Sequence, residues 1–354
     1  STGNDEFTSN SISLLSSHLI TNPIDSAQIT AIENRTEQLY FLVNTDGSLA
    51  VFTSQRAEKI AGWVLFETDG SYTSVACTTS GIYVATTRTI NGVTKYSLEQ
   101  FASQSFDVPT DYTITKTISG SYQPHGTPLT KGAVSSSTTF IADGFTNNPP
   151  SQSEQFQFGG TGTTYVIQSA TSTGTSGEYT IVVDAAVTQA DNTALQFVTS
   201  KSFSGLTTHI GKEVFATAGS TEGGAIYFFG KGTVSSSGNV TFTTPTSAAD
   251  IGIDYTTDVQ TLPIDSTIQS GQLTGFPRKI GKAIVELSTT YNIQVNSNDI
   301  LLLDGTNNPS LGLPNFTGKK EVYTLGYSLE PNLTISQSAP LPFRVLGITT
   351  EVYY

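Results

Sequence analysis

The side chains in this sequence that could do chemistry are few and far apart. His18, His125 and His209 have no short spacing between any two of them, so a zinc site or a histidine-centred triad would have to be assembled from remote segments. His18 reads as a packed or solvated residue. Cys77 is the single cysteine, which excludes an intrachain disulfide and any multi-cysteine metal site, and its place in an alternating apolar run reads as a structural thiol. Two stretches approach a phosphate-binding loop, GLTTHIGKE from Gly205 and GFPRKIGKA from Gly275. In both, the glycines are one residue too far apart, and neither has the Ser or Thr after the lysine that would hold magnesium. Asp250, Asp254 and Asp258 would align three carboxylates on a helix and present a calcium face. Gly252 and the β-formers Ile253, Tyr255, Thr256 and Thr257 argue instead for a strand with solvated carboxylates. Glu67 and Asp69 beside Trp63 resemble the paired acids of a glycosidase, yet Asp69 is already accounted for by a turn. No residue qualifies as catalytic, cofactor-binding or metal-binding, and the chain reads as non-enzymatic.

The elements that must position these residues are strands. From Gly62 to Phe101 the pairs Asp69-Gly70, Ser80-Gly81 and Asn91-Gly92 separate runs rich in Val, Ile, Thr, Tyr and Phe, the pattern of consecutive antiparallel hairpins. Upstream, ITAIE from Ile29, QLYFLVN, SLAVFT and GWVLFE read as four short strands, and a comparable series restarts at Tyr72. The offset falls within the ~40–45-residue period of four-stranded propeller blades. Two blades do not close a ring, so open edges are expected, covered by another chain or by a portion of a longer product. Near the start, Asn10 or Ser11 caps a short expected helix striped by Ile12, Leu15 and Leu19. At the Asn91-Gly92 hairpin, simple registration sets Arg88 opposite Lys95, an unfavourable like-charge pair that calls for a bridging acid such as Glu99 or for a bulge.

From 103 to 202 the texture turns Ser-, Thr- and Gly-rich and poor in charge. Tyr165, Val166, Ile167, Tyr179, Ile181, Val182 and Val183 supply enough apolar surface for a small sandwich-like domain, here read as an insertion. From 203 to 354, KAIVELS places Ala283, Val285 and Leu287 on one face, and RVLGITTEVY places Leu346, Ile348 and Val352 on one face, as half-wetted antiparallel strands do. Gly305 and Pro309 mark a loop. The expected fold is all-β, with partial propeller blades over 1–102, an inserted β domain over 103–202 and an antiparallel β domain over 203–354.

The 354 residues include 16 basic and 29 acidic side chains, a net charge of -13. Such a surface lacks the basic footprint that displaces counterions from nucleic-acid phosphates. No apolar run approaches the ~18 residues that span a bilayer, and STGNDEF does not read as a secretory signal.

Gly-Trp at Gly62, Thr-Asp-Gly at Thr68 and Arg-Thr-Ile-Asn-Gly at Arg88, in this order, resemble tail tubular protein B, the nozzle protein family of short-tailed bacteriophages. NDEFTSNSISLLSSHLI at Asn4, FSGLTTHIGKEV at Phe203, DYTTDVQTLPID at Asp254, NFTGKKEV at Asn315 and ISQSAPLPFRVLGITTEV at Ile335 are similar to further landmarks of that family. The resemblance implies a distal tail nozzle in the virion that conducts and gates DNA without gripping it. It further implies copies of itself in a ring, usually six, below an adaptor protein, with docked tail fibres and no cofactor. Family members usually carry a substantial portion upstream of Asn4, so a separate N-terminal chain is an expected partner. The alternative function is a virion or cell-surface β protein whose inserted domain binds glycans through exposed tyrosines and the loops around Asn147 and Asn307.

Overall fold

In the computed structural model, residues 16–30, 38–55, 60–79, 81–102, 110–218, 226–264, 267–268, 271–272, 276–302, 313, 315–324 and 326–354 are described. The fold is all-β: antiparallel strands dominate, and the described residues contain no α-helix and one 3-10 turn, Ser17–Leu19. The expected helical stripe lies largely outside the described residues. Asn44 fixes the 3-10 turn and its exit, its Nδ2 donating to the Leu19 carbonyl at 3.0 Å and its Oδ1 accepting from the Thr21 N–H at 2.9 Å. The chain forms two compact units, residues 1–103 and 104–354.

The first unit contains two blade-like meanders. One is β1 (Pro23–Ile29), β2 (Gln38–Asn44), β3 (Leu49–Gln55) and β4 (Ile60–Phe66); the other is β5 (Ser71–Thr78), β6 (Gly81–Ile90) and β7 (Val93–Gln100). The first strand ends at Ile29, where the sequence pattern has it begin, and most of ITAIE lies outside the described residues. Period-2 alternation turns Phe41 and Val43 of β2, Leu49 and Val51 of β3, Val75 of β5 and Val84 of β6 into one shared core. Asp69-Gly70 is not a hairpin turn, because β4 and β5 belong to different sheets. It carries the chain from one meander to the next through a tight gap: Gly70 has φ +136°, and a Cβ there would lie 2.0 Å from the Thr87 carbonyl oxygen.

Asn91 and Gly92 have φ of 49° and 74°, and Ile90 pairs directly with Val93, which is the two-residue hairpin expected from Asn-Gly. Arg88 does stand opposite Lys95, with no bulge in the β6–β7 ladder. An acid answers the repulsion. Arg88 is 2% exposed, and its Nε and Nη2 donate to the two carboxylate oxygens of Glu99 at 3.1 and 2.7 Å, while Nη1 donates to the Asp69 carbonyl at 2.9 Å. Thr86 and Ser97 also donate to Glu99. Burial pushes the Glu99 carboxyl up, but the bonds from Arg88, Thr86 and Ser97 outweigh it and leave it below its ordinary value. One cluster thus joins β6 and β7 to the crossing between the meanders.

The second unit begins with β8 (Asp111–Thr117), β9 (Gly126–Thr130), β10 (Val134–Phe145), β11 (Gln155–Phe158), β12 (Thr164–Ser172), β13 (Tyr179–Gln189), β14 (Leu195–Phe203), β15 (Glu213–Ala218), β16 (Tyr227–Thr233), β17 (Val240–Thr246) and β18 (Ala248–Ile253). A seven-stranded sheet, β17-β14-β11-β12-β13-β10-β9, curls into a half-barrel. Leu129 of β9 bridges Ala194 just before β14, and the Thr130 N–H donates to the Thr193 carbonyl at 2.9 Å, so the curl nearly closes. Phe140, Phe145, Phe156, Phe158 and Phe197 fill its inside, with Phe156 and Phe158 edge to face at 5.2 Å.

A four-stranded sheet, β16-β15-β18-β8, packs Val214, Ala216 and Ile251 against Phe203 and Phe242. Hydrogen bonding runs across the junction at 202/203. β14 passes through it with Phe197 in one core and Phe203 in the other, and β8 pairs with β18.

The remaining strands are β19 (Val259–Gln260), β20 (Thr267–Ile268), β21 (Gly271–Gln272), β22 (Lys279–Thr290), β23 (Gln294–Val295), β24 (Asn298–Asp299), β25 (Phe316–Tyr323), β26 (Thr334–Ser336) and β27 (Val345–Tyr353). Sheets β25-β22-β27 and β19-β26-β23-β24 share a core that buries Ala283, Val285 and Leu287 together. Leu346 does not join Ile348. The register slips by one residue where Glu286 pairs with Gly347 and Leu287 with Val345, so Val345 and Ile348 turn inward and Leu346 is left 61% exposed.

Two outcomes follow from these contacts. Glu99→Gln removes a charge from a buried bidentate pair, and a loss of about 3 kcal/mol in urea unfolding of residues 1–103 is expected. Because the Glu99 carboxyl is lowered on folding, its stabilisation is complete above the ordinary carboxylate value and fades as pH falls through the folded value; the Gln variant should show a shallower acid dependence. Excising residues 103–199 would remove β9–β13 with the first part of β14 and strip β8 from β18, and the product is expected to be insoluble or unfolded by circular dichroism.

Candidate functional site

The structure brings together a serine, a histidine and a glutamate that are far apart in sequence. Ser200 lies on β14, Glu154 immediately precedes β11, and His125 immediately precedes β9; all three are wholly buried. Ser200 Oγ is 2.9 Å from His125 Nε2 and 2.9 Å from Glu154 Oε1, and Glu154 Oε2 is 3.2 Å from the same His125 Nε2. His125 Nδ1 lies 3.0 Å from the Asn148 carbonyl. A carbonyl only accepts, so Nδ1 carries a proton and donates it there. Asn148, itself buried, donates from Nδ2 to the Pro124 carbonyl at 2.9 Å.

This differs from a hydrolase triad in two respects. A triad needs the acid on one ring nitrogen and the serine on the other; here both crowd Nε2. The nucleophile must also meet substrate, whereas Ser200 has no exposed surface and its Oγ is already engaged by the Ser202 N–H at 2.9 Å. Glu154 further accepts from the backbone N–H groups of Lys201 and Ser151 at 2.7 and 2.8 Å. The cluster therefore works as a polar lock. It ties the segments before β9 and β11 to the irregular part of β14, where the ladder to β17 shifts register between Ser200 and Ser202.

The other singled-out residues also have structural partners. In GLTTHIGKE, the N–H groups of Leu206, His209, Gly211 and Lys212 donate to the carbonyls of Gly238, Leu206, Val234 and His209, which leaves those donors no phosphate to cradle. His209 is buried, stacks on Tyr112 at 4.9 Å, and faces the Tyr112 carbonyl through Nε2 at 2.7 Å. In GFPRKIGKA, Arg278 is buried and clamps two loops, donating to the Ile264 and Leu329 carbonyls at 2.7 and 2.8 Å. Asp250 accepts from Thr115 on β8 at 2.5 Å, and burial followed by nearby Glu213 raises the Asp254 carboxyl above its ordinary value. Among the described residues, no three His, Cys, Asp or Glu side chains converge as a metal site. Trp63 packs on Phe52 at 5.1 Å, the Asp69 carbonyl is held by Arg88, Cys77 is half-buried against the first unit's core, and His18 is exposed on the 3-10 turn.

Neither protein-family models nor curated proteins match the chain. What the residues can do is thus read from their geometry alone.

Asn147 is exposed and Asn148 is not. The Asn147 carbonyl accepts from Asn239 Nδ2 at 2.7 Å while Asn148 is buried in the polar lock. Gly305, Asn307 and Pro309 lie outside the described residues. Exposed tyrosines of the same unit include Tyr323, Tyr327, Tyr353 and Tyr354, with Lys279 Nζ 5.4 and 5.3 Å from the ring centres of Tyr327 and Tyr353. A shallow groove elsewhere in the same unit is lined by Val259, Phe343, Arg344, Leu346 and Ile348.

Sequence reading missed the His125–Glu154–Ser200 cluster because no spacing links its members. The one available signal was compositional: His125 and Glu154 are ionisable groups in a stretch poor in charge, where burial demands partners. Glu154→Ala is expected to cost about 3–5 kcal/mol by leaving buried donors without an acceptor, and a serine-directed fluorophosphonate is expected to leave native Ser200 unlabelled by mass spectrometry.

Proposed function

We propose that this chain is a non-enzymatic structural component of a bacteriophage tail, the distal nozzle through which DNA leaves. The observation that carries the reading is the pair of consecutive blade-like meanders, because the stretch that forms β4 to β7 is the one whose motifs resemble the nozzle family. Of the other resembling blocks, those at Phe203, Asp254, Asn315 and Ile335 follow in family order on the turn after β14, around β19, on β25 and across β26 and β27. The implied mechanism is mechanical and electrostatic. Copies of the chain, six by family resemblance, surround the tail axis beneath an adaptor and dock fibres; a rigid β wall holds the gate, and the excess of 29 acids over 16 bases keeps DNA from adhering. No helix among the described residues is long and apolar enough to cross a membrane.

A glycan-binding reading has one supporting observation, the exposed tyrosines around Lys279. Tyr165 and Tyr179 of the inserted region, read from sequence as core residues, pack against the phenylalanine core of the half-barrel. Labelling virions with antibody against this chain and imaging the tail is expected to mark the tail tip alone, with a ring in the density. Duplex DNA binding is expected to be weak at physiological salt. Label on the capsid or along fibres, a single copy per virion, or tight duplex binding that falls steeply with salt would overturn the nozzle reading.

A further inference from the structure

The second meander has three strands where the first has four. Among the described residues β7 pairs only with β6, so the other edge of Val93–Gln100 presents its backbone groups without a strand. This edge is also apolar: Val93, Tyr96 and Leu98 are 53%, 82% and 77% exposed. In the first meander the corresponding edge of β3 is covered by β4, which sets Trp63 beside Phe52.

We infer that β7 is a pairing surface for a second copy of this chain, joined edge to edge as antiparallel β7 strands about a two-fold axis through Ser97. The sequence of β7, VTKYSLEQ, is complementary to itself when reversed about that serine. Centring the axis there sets Lys95 opposite the partner's Glu99, Tyr96 opposite the partner's Leu98, and Thr94 opposite the partner's Gln100, each contact occurring twice. Alternation keeps the faces consistent. Lys95, Ser97 and Glu99 share one face, and Tyr96 and Leu98 share the other, so charged residues meet charged and apolar meet apolar. Shifting the register by two residues would place Lys95 opposite Ser97 or opposite a residue beyond β7, and would lose both charge pairs.

The charge pairing also answers a strain inside each copy. Lys95 stands directly across from Arg88, and Glu99 is committed to Arg88 by two hydrogen bonds. An acid on the open side of β7 is what Lys95 lacks, and the partner's Glu99 supplies it while remaining bonded to its own Arg88. The result is a continuous six-stranded sheet made from two three-stranded ones. The contact closes on two copies because it is isologous; a ring of one polarity has no such two-fold axis, so the dimer is a state of the free chain, independent of the nozzle reading, and opens wherever a ring forms.

Sedimentation velocity of the full chain at physiological salt should show monomers giving way to dimers as concentration rises. Lys95→Glu sets like charges together at both symmetry-related positions while relieving the clash with Arg88 inside the chain. It should weaken the dimer about tenfold without lowering the thermal midpoint. In a Cys77→Ser background, Ser97→Cys should form a disulfide-linked dimer under mild oxidation, whereas Lys95→Cys should not, since position 95 faces position 99. A wild-type chain that stays monomeric at all concentrations, an assembly whose strength Lys95→Glu leaves unchanged, or equal cross-linking from positions 95 and 97 would overturn the inference.

Discussion

A strand cannot satisfy its own backbone. In a helix each N–H finds a carbonyl four residues away, but here the N–H and C=O groups of each strand depend on another strand, and pairing in the right register is the condition on which the cores rest. A slip of one residue would turn Phe41, Val43, Leu49 and Val51 outward together. The structure meets this demand with turns that admit one geometry, such as the positive-φ pair Asn91-Gly92, and with side chains that lock a ladder where turns are absent.

The buried polar residues belong to that second device. Asn44 holds the 3-10 turn, Arg88 and Glu99 hold the passage between meanders, His125, Glu154 and Ser200 hold two segments against an irregular strand, and Arg278 clamps two loops. Each cluster reaches a segment where the chain leaves regular pairing and backbone groups need a side-chain partner. A serine, a histidine and a glutamate within hydrogen-bond reach are therefore insufficient evidence of catalysis. Access and the choice of ring nitrogen separate a lock from a triad.

What was legible in the sequence was local. The Asn91-Gly92 hairpin, the Arg88–Lys95 confrontation with Glu99 as its remedy, and the inward face of KAIVELS follow from turn chemistry and a period of two, which neighbours in sequence determine. Asp69-Gly70 misled because a turn pair states that the chain bends, not which sheet it enters next. Leu346 misled because a bulge is invisible to alternation. The polar lock was out of reach for a different reason: pairing that brings Ser200 to within 2.9 Å of His125 depends on the whole curl of the half-barrel, and no short window contains it.

The pairing of β8 with β18 carries a cost in time. Lys116 and Ala249 are partners in this ladder, yet every strand of the half-barrel lies between them in the chain. At ~5–20 residues per second on the ribosome, the first of these strands is complete on the order of ten seconds before its partner exists. Through that interval β8 lacks the strand it pairs with, and Tyr112 and Ile118 lack Ile251 of their core. The nascent chain must keep β8 from other strand edges for that long, so the vulnerable moment in the life of this protein falls during its synthesis, before the sheet that protects it has been made.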